Sequence, residues 1–196
     1  MPPVTKVSKD EIIDKTYQIL SRDGIESINA RRIAKELNCS VQPIFSNFNS
    51  MEDLINEVTN LVKQKCFDYL LSGSKDSCKP YKQVGINYIK FAKEETNFFK
   101  FLFMSGSDLV PKEFISRDNE DYQELTKLIK LSTQLKDEDI ADFHTKMWVF
   151  THGIAMLVAT DTVKLTESQI KELLSLEFQA LMLLEENKDN KWVSKD

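Results

Sequence analysis

The sequence predicts an all-α protein, with an N-terminal three-helix head that contains a helix-turn-helix and a larger C-terminal helical bundle, about nine helices together. Three observations lead there. Apolar residues recur at steps of three and four and nowhere alternate as they would in a half-buried strand. Sequences that cap helix starts precede several of these segments. Gly and Pro number only five each in 196 residues, so the breakers are few and each can be read by its position.

The first segment opens at Ser8-Lys-Asp-Glu11, where the Ser hydroxyl and the Glu carboxylate can each take an orphan N–H of a helix start. Ile12, Ile13, Thr16, Tyr17, Ile19 and Leu20 keep a helical period after it, and Gly24 supplies the stop. A second, short helix is expected from Ala30 to Leu37, burying Ile33, Ala34 and Leu37. Asn38-Cys39-Ser40 reads as a tight turn, because Asn tolerates the left-handed backbone and Ser40 is placed to cap the next helix. That third helix runs from Val41 to about Asn47, with Pro43 in its first turn, where a missing N–H costs no intrahelical bond. Ser50-Met-Glu-Asp53 then caps a long fourth helix that carries Leu54, Val58, Val62 and Leu70.

The stretch SGSKDSCKP after Leu71 is the best loop signal of the second part, and Pro80 suits the first turn of a helix reaching about Glu95. Phe98 to Met104 is apolar nearly all round and should be buried, ending at Ser105-Gly106-Ser107-Asp108. Further helices are expected from about 118 to 135 and from 138 to 161, and Thr166-Glu-Ser-Gln169 caps a last one reaching about Glu186.

Composition narrows the function classes. Charged residues make up 29% with both signs interspersed, and the net charge is −5. The first 50 residues carry seven Lys/Arg against six Asp/Glu, so the head is the less acidic part. No apolar run approaches the ~18–20 residues of a membrane span, and MPPVTKVSKDE lacks the apolar middle of a signal peptide, so a cytoplasmic location without membrane contact is expected. Cys39, Cys66 and Cys78 include an odd one and form no CxxC pair, which suits a reducing compartment. His144 and His152 lie two turns apart on about one helix face with no acidic or thiol partner in a ligand spacing, so no metal is expected. There is no phosphate-cradling Gly loop, no Gly-x-Ser-x-Gly elbow and no zinc-enzyme pattern, and the acidic pairs fall at helix ends or on polar faces. An enzyme and a cofactor are therefore not expected.

Two short helices joined by a three- to four-residue turn and braced by a preceding helix describe a helix-turn-helix, whose second helix enters the major groove of DNA. An ordinary tri-helical core would show the same spacing. Gly24-Ile25, Arg31-Arg32-Ile33-Ala34, Asn38-Cys39-Ser40, Ile44-Phe45 with Phe48, and Ser50 through Leu54 add detail to it. Over residues 24–54 this stretch resembles the N-terminal signature of TetR/AcrR transcription regulators. The resemblance implies a DNA-binding domain at 1–50 and a ligand-binding and dimerisation domain at 51–196, in a homodimeric regulator, usually a repressor, released from its double-stranded operator by a small-molecule effector.

On that footing Lys6 and Lys9 in the N-terminal arm, Asn29, Arg31 and Arg32 on the second helix, and Ser40, Val41, Gln42, Pro43, Phe45 and Asn47 around the third are the candidate DNA contacts. Gln42 can pair bidentately with adenine, Arg31 with guanine, and Val41 or Pro43 can touch a thymine methyl. The family usually has Tyr where Phe45 stands, His or Tyr at Asn47, and often Lys at Met51. These departures predict fewer phosphate contacts than in a typical relative, and they keep open an alternative: a ligand-binding or interaction protein of this fold that has lost operator binding.

In the second part, Tyr88 to Ala92, Phe98 to Met104 and Trp148-Val-Phe-Thr-His152-Gly153 resemble the C-terminal domain class named for its Trp-His-Gly motif. That resemblance implies an effector pocket, for which Phe67, Phe91, Phe101, Phe143, Met147, Trp148 and His152 are candidates, although apolar groups at helical spacing are more often plain core. The effector should be small and largely apolar. The last helix has one apolar stripe through Ile170, Leu174, Phe178 and Leu181, while Leu176, Ala180, Leu183 and Leu184 add a second that only a partner could bury.

Overall fold

The structure is a computed structural model and describes residues 7–105 and 120–187. Those residues contain nine α-helices, one 3₁₀ turn and no strand: α1 (Lys9–Asp23), the 3₁₀ turn (Ile25–Ser27), α2 (Ala30–Glu36), α3 (Gln42–Asn47), α4 (Met51–Leu71), α5 (Pro80–Glu94), α6 (Thr96–Met104), α7 (Glu120–Thr133), α8 (Asp137–Ala159) and α9 (Glu167–Glu186). None of the helices described is long and apolar enough to cross a membrane. Lys6, one of the expected DNA contacts, and Gly106 to Asp108, expected to end α6, lie outside the described residues.

The chain packs as two compact units, residues 7–66 with 95–105, and residues 67–94 with 120–187. This division follows packing and differs from a boundary after residue 50, because α6 packs with α1. Asn97 Nδ2 donates to the Ser21 carbonyl at 2.9 Å, and Phe98 meets Tyr17 with ring centroids 4.8 Å apart. Lys65 on α4 pairs with Glu95 at 2.7 Å and lies 4.9 Å from the centre of the Phe98 ring, closing the same corner.

Within the first unit Ile12, Ile19, Leu20, Ile33, Ile44 and Leu54 are completely buried, one to three from each of α1 to α4. Each such side chain contributes roughly 1.5–3 kcal/mol relative to exposure, so a short helix such as α3 is held by what it buries. The caps have the expected geometry. Ser8 and Glu11 exchange the reciprocal bonds of a capping box, and Gly24 closes α1 at φ 79° with its N–H on the Leu20 carbonyl. Asp53 N–H donates to Ser50 Oγ at 3.1 Å, and Thr166 with Gln169 forms a second capping box.

In the second unit α5 is buried on most of its surface, from Tyr81 to Ala92. Two tyrosine–histidine rungs tie it to α8: the Tyr81 hydroxyl meets His144 Nδ1 at 2.8 Å, and the Tyr88 hydroxyl meets His152 Nδ1 at 2.9 Å. Both steps ascend in sequence, so α5 and α8 run parallel here. Buried Asn87 donates to the Leu70 and Ser72 carbonyls and accepts from Gln83, which satisfies the end of α4 from inside the core. Gly85 faces α9, where a Cβ would come to 3.3 Å from Leu174 Cδ1, so its lack of a side chain sets how near the two helices lie.

Candidate functional site

The helix-turn-helix is built from bonds that its own residues supply. Asn29 caps α2, its Oδ1 accepting from Arg32 N–H at 3.0 Å. The helix closes with Leu37 N–H on the Ile33 carbonyl, Asn38 turns the chain at φ 52°, and Cys39 N–H returns to the Ala34 carbonyl at 3.0 Å. Ser40 does not cap α3. Val41 holds that position in helical geometry (φ −71°, ψ −15°), with no side-chain cap, because the backbone is already wound one residue before Gln42 and Pro43 sits in the first turn. Ser40 is instead an exposed turn residue.

Ile44 and Phe48 anchor the inner face of α3, leaving Val41, Gln42, Phe45, Ser46 and Asn47 exposed. Phe45 is 52% exposed, a large apolar ring with no core to join. Asn47 Nδ2 donates to the Pro43 carbonyl at 2.8 Å and Ser46 Oγ to the Gln42 carbonyl at 2.9 Å, so both side chains fold back on their own helix. No hydrogen bond of the Gln42 side chain is present among the described residues.

The two adjacent arginines differ. Arg32 donates to Glu36 at 3.0 Å and to Asp23 at 2.9 Å, and Arg22 bonds the same two carboxylates at 2.6 and 2.8 Å. Hydrogen bonds from Arg22 are the main reason that the Asp23 and Glu36 carboxyls lie below the usual carboxylate range. This alternating square ties α2, through Arg32 and Glu36, to the end of α1. Arg31 is exposed and has no partner among the described residues. Lys9 opens α1 and pairs with Glu57 at 2.5 Å, which removes it from a free N-terminal arm.

The second unit holds an apolar cavity of about 50 Å³ walled by α5, α8 and α9, with Leu70 of α4 and Leu125 of α7 also in its lining. Of the seven aromatic and apolar candidates, Met147 and Trp148 line it. His152 stacks against Trp148 (4.8 Å, 14° between ring planes) and is half-buried, so desolvation holds its pKa below the ordinary histidine value. Phe143 belongs to a core cluster with Tyr81, Ile129, Ile140, Met147 and Leu181, and Phe91 packs edge-on to Tyr69. Phe67 is buried without lining the cavity, and Phe101 is a core residue of the first unit. Sequence reasoning missed Tyr81, Lys82, Tyr88 and Thr151, polar residues of the cavity wall. The seven-residue step from Tyr81 to Tyr88, matching the eight from His144 to His152, was the available signal.

On α9, Leu176, Leu183 and Leu184 are 57%, 59% and 44% exposed, Ala180 is exposed with them, and α8 adds Val149 and Leu157 at 59% and 44%. Among the described residues no group of three or more His, Cys, Asp or Glu is placed to hold a metal ion.

No family model matches the sequence, and no curated protein matches it. Solved structures do match. A TetR family transcription regulator from Marinobacter aquaeolei VT8 superimposes with TM-score 0.62 at 12% identity, covering 88% of this chain and 94% of that one. A candidate tetR family transcription regulator from Shewanella sp. PV-4 gives 0.60 at 18% identity over 88% and 96%. A TetR-like transcriptional regulator from Rhodococcus sp. RHA1 gives 0.58 at 13% identity over 92% and 98%. At these identities the likeness is one of architecture, and the all-helical chain with its N-terminal helix-turn-helix has the fold of the TetR-type transcription regulators.

Proposed function

We propose that the protein is a sequence-specific, DNA-binding transcriptional regulator, a homodimeric repressor that a small, largely apolar effector releases from its operator. The observation that carries this reading is the outer face of the helix-turn-helix. Arg31 and Gln42 stand exposed and without described partners, beside the exposed Val41, while the inner faces of α2 and α3 are buried through Ile33, Ala34, Ile44 and Phe48. A guanidinium and an amide with free donors are the groups that read guanine and adenine edges. Ser40 and the partly buried Pro43 flank them, and the second exposed stripe of α9 supplies a surface for a two-fold partner. Two copies matter because one short reading helix spans too few base pairs to select an operator. The effector would enter the second unit beside Met147 and Trp148. The reading implies a cytoplasmic, non-enzymatic protein.

The test is selection of bound duplexes from a random DNA pool. The expected outcome is enrichment of an inverted repeat whose half-sites lie about one helical turn apart or slightly more. Recovery of random sequence alone would overturn the reading. That result, with a folded dimer that still binds small molecules, would support the second reading, a ligand-binding protein of this fold without an operator. Specific observations favour it: α3 carries no Lys or Arg, Phe45 presents no hydroxyl, and Asn29, Arg32 and Asn47 are engaged within the chain.

A further inference from the structure

Among its described residues the first unit leaves four large apolar side chains exposed, and two of them, Val41 (39%) and Phe45 (52%), belong to α3 and its N-cap. They stand one turn apart. Phe45 N–H meets the Val41 carbonyl at 3.4 Å, so the two side chains share a face with Cβ atoms about 5–6 Å apart. Ile44 and Phe48, also a turn apart, are buried on another face, so the exposed pair cannot join the core without expelling them.

The polar groups of α3 do not cover this ridge. Ser46 and Asn47 bond back to the Gln42 and Pro43 carbonyls, and no residue from Gln42 to Asn47 is charged. Gln42, next to Val41, is exposed, and the preceding helix presents Arg31 and Lys35 to solvent one turn apart. An apolar ridge accompanied by cations suits a polyanion that carries apolar groups of its own. The major-groove edge of DNA is such a surface, because among its donors and acceptors it offers one apolar group, the thymine 5-methyl.

From this arrangement we infer that Val41 and Phe45 together read thymine methyls on neighbouring A·T pairs, next to an adenine taken by the Gln42 amide. The half-site under α3 is then a short run of A·T pairs, and apolar contact stands in for the phosphate contacts that α3 lacks. The inference rests on the reading of the head as operator-binding and deepens it, since it names the bases that the head selects.

The test uses the full chain and the duplex enriched from a random DNA pool, resynthesised with uracil in place of thymine, which removes the methyl and nothing else. Fluorescence anisotropy at low salt keeps weak complexes in range. Uracil should weaken binding about fourfold for each methyl contacted, the equivalent of the ~0.8 kcal/mol of one buried CH₂ group, and at least tenfold over both half-sites. Phe45→Ala should cut that penalty at least threefold and Phe45→Leu should keep it, with thermal melting confirming that both variants fold. A duplex with G·5-methylcytosine at the sensitive pairs should bind more tightly than one with G·C, and less tightly than the A·T original, because Gln42 loses its adenine. Equal affinity for the thymine and uracil duplexes, a penalty unchanged by Phe45→Ala, or cytosine methylation without effect would overturn the proposal. An enriched duplex that shows no uracil penalty removes the methyl contact alone, whereas failure of the pool to enrich any duplex removes the operator and the methyl contact with it.

Discussion

Arg31 projects from α2 with no described partner, whereas Arg32 beside it is held between Asp23 and Glu36. The two should therefore respond differently to truncation. On the proposed reading, in which each makes a bidentate base contact, Arg31→Ala, like Gln42→Ala, is expected to cost about 1–3 kcal/mol of discrimination at particular base pairs. Arg32→Ala should instead weaken all sequences alike, by loosening the tie between α1 and α2. Fluorescence anisotropy on the selected operator and its single-base variants separates the two, and equal losses on every variant for Arg31→Ala would remove it from base reading. His152 makes a second prediction at this scale. Its folded pKa lies below the ordinary 6.5 because burial disfavours the imidazolium. A depressed folded value means that the unfolded chain takes up the proton first, so the stability this residue contributes is present above about pH 6.5 and is lost as pH falls through the folded value. The melting temperature of the wild type should accordingly fall more between pH 7 and pH 5 than that of His152→Gln; parallel melting curves for the two proteins would contradict this.

At the scale of elements, the turn between α2 and α3 is a point of local control. Asn38 sits at φ 52°, a conformation that a β-branched residue adopts only with strain of about 1–2 kcal/mol. Asn38→Val should lower the denaturation free energy by about that amount and Asn38→Gly should not. Equal effects from the two would show that the turn is not what holds the pair of helices. Asn29→Ala, which removes the α2 cap, is expected to cost about 0.5–2 kcal/mol in the same denaturation experiment. The composition of α3 has its own consequence, because Gln42–Asn47 contains no cation. Since the logarithm of the binding constant falls by about 0.9 per phosphate contact for each logarithm of salt, an operator complex with few such contacts should show a shallow salt slope.

At the scale of the whole molecule, the exposed stripes matter more than any single contact. Leu176 and Leu183 on α9 are each more than half exposed, a poor arrangement for a lone chain and a suitable one for a bundle formed about a two-fold axis. The double substitution Leu176→Glu, Leu183→Glu should give folded monomers, or aggregates, that no longer hold the operator tightly. Sedimentation equilibrium measures this directly, and a wild-type monomer of 22.7 kDa at micromolar concentration would defeat the dimer.

The features legible in the chain alone are those whose causes lie within a few residues. Both capping boxes, the Gly24 stop, the left-handed Asn38 and the start of α5 at Pro80 stand as their local chemistry demands, because a helix end must satisfy its backbone groups with whatever lies three or four positions away. The Ser40 cap is the local expectation that did not hold, since the chain was already helical at Val41. Relations between residues far apart in the chain emerge only from how the helices pack. Tyr81 meets His144 across 63 positions, α6 packs with α1, and Arg32 is taken by an ion-pair square. Among seven similar aromatic and apolar candidates, only Met147 and Trp148 line the cavity, and the Lys82 that stands beside them carried no pattern to mark it. Periodicity records that a side chain is turned inward, but whether it meets another side chain or open space depends on the helices packed against it, which local spacing does not encode.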